Sequence, residues 1–317
     1  MSIGEKTLIV LGGSGFIGRR VIQEAVKSGW RVKALARSDR SASIVCAAGA
    51  SLLKGEAEHP GPWLREVAGA DAIIDLIQPP RPSRLGRAQM RKISQQRQAF
   101  TRALIKELLK LSADQRPRLI SVSGIDDLAP DVDGFLSSRS KLSTRESGFN
   151  TIGIPVHELI QRSGVTASFT YLASVYGPGG PFGEAIFPAV AAGKWRNFGG
   201  SADRMILIHV DDAARGLVRV ASLDRVHAVA KSFVLTDNEP VTMTDFTGLA
   251  ATLMGVPAPR SAPKWLATLF AGKPIVETTL HAEKTQSDLS ELLDCCLIYP
   301  SYREGLPAAL RALGNIR

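Results

Sequence analysis

The sequence predicts an α/β protein with a doubly wound parallel sheet and a smaller C-terminal lobe. Over the first 125 residues, short β-branched apolar runs alternate with stretches of helical periodicity, which is typical of βαβ units. After the segment 177–181, GPGGP, the pattern becomes less regular. The 317 residues, of which 44% are hydrophobic and 22% charged, suffice for a large core and exclude a disordered or collagen-like chain.

The apolar runs give the expected order of the strands. The main sheet is predicted to contain the strands 7–11, 31–36, 51–54, 72–77, 119–123 and 166–172. In the later part we expect strands at 205–208 and 232–235, a helix from Asp211 and a helix over 242–254. This divides the chain into a domain of residues 1–176 and a smaller lobe of residues 177–317, with the chain free to cross back between them.

Neither a membrane segment nor a metal site is expected. The apolar run at the amino terminus, 7–11, is too short for a signal-peptide core or a membrane span, so we expect a soluble cytoplasmic protein. Three cysteines (Cys46, Cys295 and Cys296) and five histidines show no zinc-ligand spacing.

The net charge of +9 is concentrated between Arg81 and Arg118, where eleven basic residues face two acidic ones. Apolar residues recur there at helical spacing, which favours the solvated face of one amphipathic helix. An acidic partner or a contribution to holding a phosphorylated ligand stays open. The absence of interleaved aromatic residues argues against nucleic acid.

A glycine-rich turn lies between the first predicted strand and the first predicted helix. Such a turn lets the backbone approach a pyrophosphate, and the helix amino terminus directs free N–H groups at that anion. This context predicts a Rossmann-type dinucleotide site. Its expected residues are Gly12, Ser14, Gly15, Phe16, Ile17 and Gly18.

The second predicted strand ends at Arg37, where an NAD site usually places an acid on the ribose hydroxyl. A guanidinium pairs with a phosphate through two parallel hydrogen bonds, so Arg37 favours NADP, with Arg40 as a possible helper. NAD is the second choice, because Asp39 can reach the ribose if the loop turns differently.

Several separated motifs resemble those of one enzyme family. The chain is similar over its whole length to the extended short-chain dehydrogenase/reductases of the NAD-dependent epimerase/dehydratase type. The matching segments are Gly12, Gly15 and Gly18, Gly55-Glu56, 75–78 (DLIQ), 175–179 (VYGPG), 208–214 (IHVDDAA) and 239–242 (EPVT). The resemblance implies that Glu56 and Ile77 also contact the cofactor, that a small molecule is the substrate and that a homodimer is plausible.

The resemblance also implies a Tyr-x-x-x-Lys pair, which this chain lacks. No tyrosine precedes Tyr171, and helix register puts Asn150 in the tyrosine position and Ile154 in the lysine position. Ser123 stands in the family's hydroxyl position and is the first catalytic candidate, and Asn150 is the second because its amide can orient a substrate oxygen. Lys141 lies too early in the chain to replace the lysine.

Three functions stay open. The first is an atypical NADP-dependent oxidoreductase or redox-assisted epimerase that uses another proton donor, such as water, Ser123 or Tyr171. The second is a catalytically inactive NADP-binding regulatory or assembly protein. The third is a non-redox isomerase or cyclase. His157 is a further candidate, because its helix is expected to border the nicotinamide.

Overall fold

The computed structural model describes residues 6–79, 86–145, 148–198, 204–237, 239–263, 284–294 and 296–316. The strands and helices of the amino-terminal half are β1 (Thr7–Leu11), α1 (Phe16–Lys27), β2 (Arg31–Ala36), α2 (Asp39–Ala47), β3 (Ser51–Lys54), α3 (Pro60–Arg65), β4 (Ala72–Asp75), α4 (Arg87–Leu108), β5 (Arg118–Gly124), β6 (Phe135–Leu136) and α5 (Asn150–Arg162). The segment 264–270, apolar in sequence, lies outside the described residues.

The carboxy-terminal half contains shorter elements. They are β7 (Ala167–Leu172), β8 (Ser174–Tyr176), α6 (Phe187–Ala191), β9 (Arg196–Asn197), β10 (Arg204–Met205), β11 (Leu207–His209), α7 (Val210–Ser222), α8 (Arg225–Ala228), β12 (Ser232–Leu235), β13 (Val241–Thr242), α9 (Met243–Met254), β14 (Arg260–Ser261), β15 (Lys284–Thr285) and α10 (Tyr302–Ala312). No described helix is long and apolar enough to cross a membrane.

Seven parallel strands form the central sheet, in the order β12-β7-β5-β4-β1-β2-β3. The predicted doubly wound sheet is therefore confirmed. The strand order reverses direction between β1 and β4, and in such sheets ligands bind at the carboxyl edge beside this point. β12 pairs with β7 although residues 232–235 were expected in the smaller lobe, so the chain crosses back into the main sheet. β4 ends at Asp75, two residues before the predicted end of that strand.

Two apolar layers cover the sheet, and a separate aromatic cluster forms the core of the smaller lobe. Helices α1 and α7 pack on one face of the sheet and α4 and α5 on the other. In the lobe core, the rings of Tyr176, Phe182, Phe187 and Tyr302 surround Phe246. Because Tyr176 ends β8, this cluster joins the lobe to the edge of the sheet where the strands end.

The basic segment forms α4 and the start of β5, and most of its described charges are exposed, as the helical periodicity predicted. Two arginines of the segment are instead buried. Arg118 donates to the carbonyl oxygens of Val220, Ala221 and Leu223, at the C-terminal end of α7, over 2.8 to 3.2 Å. Arg97 forms an ion pair with Asp75. Buried guanidinium groups thus connect α7 to one face of the sheet and α4 to the other.

A proline inside α5 helps to fix this helix against α4. Pro155 has no N–H group, so the carbonyl of Thr151 one turn earlier loses its intrahelical partner. The hydroxyl of Ser94 on α4 donates to that carbonyl over 2.7 Å. Satisfying a buried carbonyl in this way avoids a penalty of about 1–3 kcal/mol and holds α5 in one position beside β5.

One buried carboxyl makes the stability of the fold depend on pH. Asp237 follows β12, accepts from the backbone N–H of Glu239 through Oδ1 and has no hydrogen bond from a described residue at Oδ2. Burial raises the pKa of Asp237 to about 8. Between the ordinary carboxyl pKa and 8, the folded state holds a proton that the unfolded state has released. Stability therefore falls as pH rises through this range, by at most about 1.4 kcal/mol per unit.

The change Asp237→Asn removes this proton while keeping the Oδ1 acceptor. We expect the free energy of unfolding of the variant, relative to the natural chain, to increase steadily from pH 5 to about 8 and then to level off. Urea unfolding at several pH values measures this difference. A difference that is constant with pH would contradict the burial argument.

Candidate functional site

The turn between β1 and α1 brings the helix against the end of the strand. Gly12 has a φ of +78°, and its carbonyl oxygen accepts from the N–H of Gly15 over 3.0 Å. A Cβ at Gly18 would overlap that same carbonyl oxygen, so only glycine permits this close approach. No side chain caps α1, and no acidic residue occupies its first turn. The N–H groups of this turn are therefore suited to an anion.

The end of β4 forms the other wall of this turn. A Cβ at Gly12 would come within 2.9 Å of the Leu76 backbone, so the two loops touch. Asp75 fixes the loop after β4, because one carboxylate oxygen accepts from the N–H of Ile77 over 3.1 Å and the other from Arg97 over 2.6 Å. The buried ion pair thus positions Ile77, which lines the cleft.

The end of β2 supplies a cation on the adenosine side. Arg37 is exposed, lines the cleft and has no hydrogen bond or ion pair with a described residue. Ser38 and Ser41 line the cleft beside it and cap α2. Asp39, the residue that would favour NAD, lies in the first turn of α2 and is not among the cleft-lining residues.

Glu56 lies beside the cleft and pairs with an exposed histidine. Its carboxylate pairs with Nδ1 of His59 over 3.1 Å, and its carbonyl accepts from the Trp63 indole over 2.9 Å. Its neighbours Gly55 and Ala57 line the cleft in its place. Glu56 itself is not among the cleft-lining residues, and its contact with the cofactor stays a prediction.

The cleft has a volume of about 1560 Å³ and runs from the glycine turn to the smaller lobe. The loop after β8 closes over its middle, where Gly180 has a φ of +61° and a Cβ on it would collide with the ring of Phe16. Arg204 and Met205 of β10 line the far end. A space of this size accommodates a dinucleotide together with a small second molecule.

A serine and a buried aspartate lie near the middle of the cleft. Ser123 is half-buried at the end of β5, as predicted. Asp127, on the single 3-10 turn that follows, is 1% exposed and also belongs to the cleft wall. Burial and the charge of Asp126 raise the pKa of Asp127 well above its usual value, and the Ser123 hydroxyl partly offsets this. Burial therefore favours the protonated form of the Asp127 carboxyl.

The next strand carries a tyrosine that is unsuited to proton donation. Tyr171 is the register partner of Ser123 in the neighbouring strand β7 and is buried. Its hydroxyl shares a hydrogen bond of 2.6 Å with Nδ1 of His157, whose ring stacks on Phe169. Burial raises the pKa of Tyr171 and lowers that of His157 to about 4. Both groups therefore stay neutral at physiological pH, and the Tyr171 phenol holds its proton.

The residue in the family's tyrosine position, Asn150, holds a neighbouring turn. The side-chain amide of Asn150 donates to the carbonyl oxygens of Arg145 over 2.8 Å and Asp126 over 3.3 Å. These contacts tie α5 to the turn after β5, although Asn150 also lines the cleft. Lys141 is exposed and is not among the cleft-lining residues. The described residues contain no cluster of histidine, cysteine or acidic groups that could hold a metal ion.

Sequence reasoning missed Asp127 and Arg97. Neither belongs to a motif of the family that the chain resembles. A signal for Arg97 existed, because it falls on the apolar stripe of α4, four residues after Ile93 and three before Phe100. For Asp127 the only signal was a pair of acidic residues, Asp126 and Asp127, two positions after the end of β5.

Comparison with known protein families and sequences supports the cofactor site. Residues 12–144 match the NAD(P)H-binding family. The chain is 34% identical over 69 residues to Photosystem II assembly factor Ycf39 of Trieres chinensis, which is 22% of each chain. It is 39% identical over 65 residues to a quinoline-oxide ketoreductase of Stigmatella aurantiaca, or 20% of each chain. These matches therefore span about a fifth of the length of the curated relatives.

Solved structures share the fold over nearly the whole chain. A human epimerase family protein crystallised with NADPH has a TM-score of 0.76 at 18% identity, covering 96% of this chain and 99% of that one. A nucleoside-diphosphate-sugar epimerase from Pseudomonas aeruginosa has a TM-score of 0.77 at 17% identity, covering 98% and 99%. UDP-glucose 4-epimerase from Bifidobacterium longum, in complex with NAD+ and UDP, has a TM-score of 0.76 at 14% identity, covering 98% of both chains. Residues 12–144 thus match an NAD(P)H-binding family, and the chain shares its fold with these three epimerase structures.

Proposed function

We propose that this protein is an atypical NADP-dependent oxidoreductase or redox-assisted epimerase that acts on a small carbonyl or hydroxyl compound. The observation that carries the proposal is the uncapped start of α1, held against Gly12 at the edge of a cleft that also contains Ser123. A nicotinamide dinucleotide, when bound, donates or accepts a hydride. The N–H groups of the first turn of α1 would hold its pyrophosphate.

Arg37 supports NADP over NAD. Its guanidinium lies at the cleft and has no competing partner among the described residues. An NAD site would instead need a carboxylate near this point, and Asp39 does not line the cleft. Because a guanidinium binds a phosphate with two parallel hydrogen bonds, Arg37 is the residue that would recognise the phosphate on the adenosine ribose.

Ser123 is proposed to bind the reacting oxygen of the substrate. It lies one residue before the end of β5, two strands from β1, so its position is near the same edge of the sheet as the glycine turn. Its hydroxyl can donate a hydrogen bond to a carbonyl oxygen and stabilise the negative charge that develops when the carbon accepts a hydride. Arg204 and Met205 line the far end of the cleft. This part of the cleft is proposed to hold the rest of the substrate.

A second candidate is an NADP-binding assembly or regulatory protein without turnover. Two observations favour it: the Tyr-x-x-x-Lys pair is absent, and part of the chain is similar to a photosystem assembly factor. The two candidates share the cofactor site and differ in whether a substrate is reduced or oxidised. Measurements of cofactor binding and of turnover therefore separate them.

A homodimer remains a prediction. Helices α4 and α5 pack side by side, and the groove between them has a volume of about 620 Å³. Charged residues of both signs line this groove, among them Arg102, Lys106, Glu158 and Arg162. This face is where a second copy is expected by the family resemblance.

The cofactor preference is tested by Arg37→Ala. We expect the affinity for NADPH, measured by fluorescence titration, to fall about 10- to 100-fold while the affinity for NADH stays unchanged, because only NADPH loses charged hydrogen bonds. Arg40→Ala, which removes an exposed arginine that does not line the cleft, is the matched control. If the unmodified protein binds NADH as tightly as NADPH, the role assigned to Arg37 is wrong.

Turnover is tested with a panel of small aldehydes and ketones by following NADPH consumption. We expect at least one substrate to be reduced, and Ser123→Ala to lower kcat about 100-fold with the affinity for NADPH intact. The control is Ser174→Ala, which removes another hydroxyl that lines the cleft. NADPH binding without any consumption would favour the assembly or regulatory function, and full activity in Ser123→Ala would exclude Ser123 from the reaction.

A further inference from the structure

A buried carboxyl without a structural partner lies beside the proposed reaction site. Asp127 is 1% exposed, and neither of its carboxyl oxygens has a hydrogen bond of standard geometry from a described residue. The backbone of Asp127, by contrast, is anchored, because its carbonyl oxygen accepts from Ser143 over 2.8 Å. Burying a carboxyl is costly, and the Ser123 hydroxyl, which interacts with this one, offsets that cost only in part.

The fold brings this carboxyl to the Ser123 hydroxyl. A Cβ at Gly153 would overlap both oxygens of Asp127 and also Oγ of Ser123, so these three atoms converge on one point of α5. Gly153 thus leaves a space that the serine and the aspartate fill. Any larger residue at this position of α5 would force the two groups apart.

The groups around Asp127 favour its neutral form. On its own turn Asp126 adds a negative charge, and from β7 the buried Tyr171 stays a phenol. On α5, His157 is neutral at pH 7 and Asn150 is uncharged. From the neighbouring loop Arg145 presents its carbonyl oxygen to Asn150, and its side chain is exposed. Among the described residues, no ion pair reaches the Asp127 carboxyl.

We propose that Asp127 stores a proton and passes it through the Ser123 hydroxyl to the oxygen of the substrate, in the role that the absent tyrosine has in related enzymes. This inference rests on the proposed oxidoreductase function. Ser123 touches the substrate, and Asp127 acts through Ser123.

The step balances in atoms and charge. When the carbonyl carbon gains a hydride from the reduced dinucleotide, the C=O electron pair moves to oxygen, which takes the proton of Ser123 Oγ as that O–H bond breaks. Oγ in turn takes the proton of the Asp127 carboxyl. An alcohol and an Asp127 carboxylate remain, and the carboxylate regains a proton from water after the product leaves. Oxidation of an alcohol follows the same path in reverse.

The first measurement concerns the stored proton and needs neither cofactor nor substrate. We expect infrared spectra of the protein at pH 7 to show the C=O stretch of a protonated carboxyl that Asp127→Asn removes. Asp237→Asn is the matched control, because it removes a different buried acid and must leave the Asp127 band in place. Asp126→Asn is expected to move the titration of this band to lower pH, since it removes the neighbouring negative charge.

The second measurement concerns the reaction. With a substrate found in the panel, Asp127→Asn is expected to slow carbonyl reduction about 10²- to 10⁴-fold while the affinity for NADPH stays the same. In the unmodified protein the rate should fall as pH rises through the pKa of Asp127. Asp126→Asn should move this fall to lower pH together with the infrared band, which a purely structural role of Asp127 would not do. Asp237→Asn should keep the full rate.

The outcomes separate the two proposals. If Asp127→Asn removes no carboxyl band, or if its rate equals that of the unmodified protein, the proton relay is wrong while the cofactor site stands. If Asp127→Asn does not fold, Asp126→Asn decides the outcome. An infrared carboxyl band whose titration moves to lower pH, while the pH dependence of the rate stays unchanged, overturns the relay. If no variant binds NADPH, the proposed function fails and the relay fails with it.

Discussion

The contact between Gly12 and Gly18 is the constraint on which the cleft depends. Because no Cβ separates them, α1 begins directly beside the end of β1 and directs its unpaired N–H groups into the cleft. Leu76 is held against Gly12 from the β4 side, and Gly180 packs on Phe16 from the lobe side. The walls of the cleft thus meet at the close contact between Gly12 and Gly18. The buried ion pair of Asp75 and Arg97 fixes the loop that lies next to this contact.

Helix α5 and the end of β5 form another part of the cleft wall, which lacks the Tyr-x-x-x-Lys pair. Helix α5 directs Asn150, Gly153 and His157 at the sheet, because residues three to four apart share a helix face. Asn150 uses its amide to hold the turn after β5, and His157 shares a hydrogen bond with the Tyr171 hydroxyl. Gly153 leaves room for Ser123 and Asp127. Ser123, at the position of the hydroxyl residue in the family that the chain resembles, thus lies beside Asp127 and not beside a tyrosine and a lysine.

A structural feature can be predicted from the sequence when the residues that cause it are neighbours in the chain. The glycine turn, Arg37 and Ser123 were predictable because each follows directly from a strand end and its adjoining residues. β12 was placed in the wrong lobe because an apolar run of four residues carries no information about which sheet it joins. Asp127 and its neighbour Gly153 are 26 positions apart in the chain and meet only because α5 packs on β5. Such a long-range contact produces no periodic pattern in the sequence.

The central claim is tested most directly by calorimetric titration of NADPH and NADH into the unmodified protein, Gly18→Ala and Gly248→Ala. Gly248 lies in α9, and a Cβ there would meet no neighbouring atom within 4 Å, so this variant controls for the loss of a glycine. The account predicts one NADPH site per chain, weakened at least about tenfold in Gly18→Ala and unchanged in Gly248→Ala. No heat of binding with either dinucleotide, or equal affinities in the two variants, would contradict it.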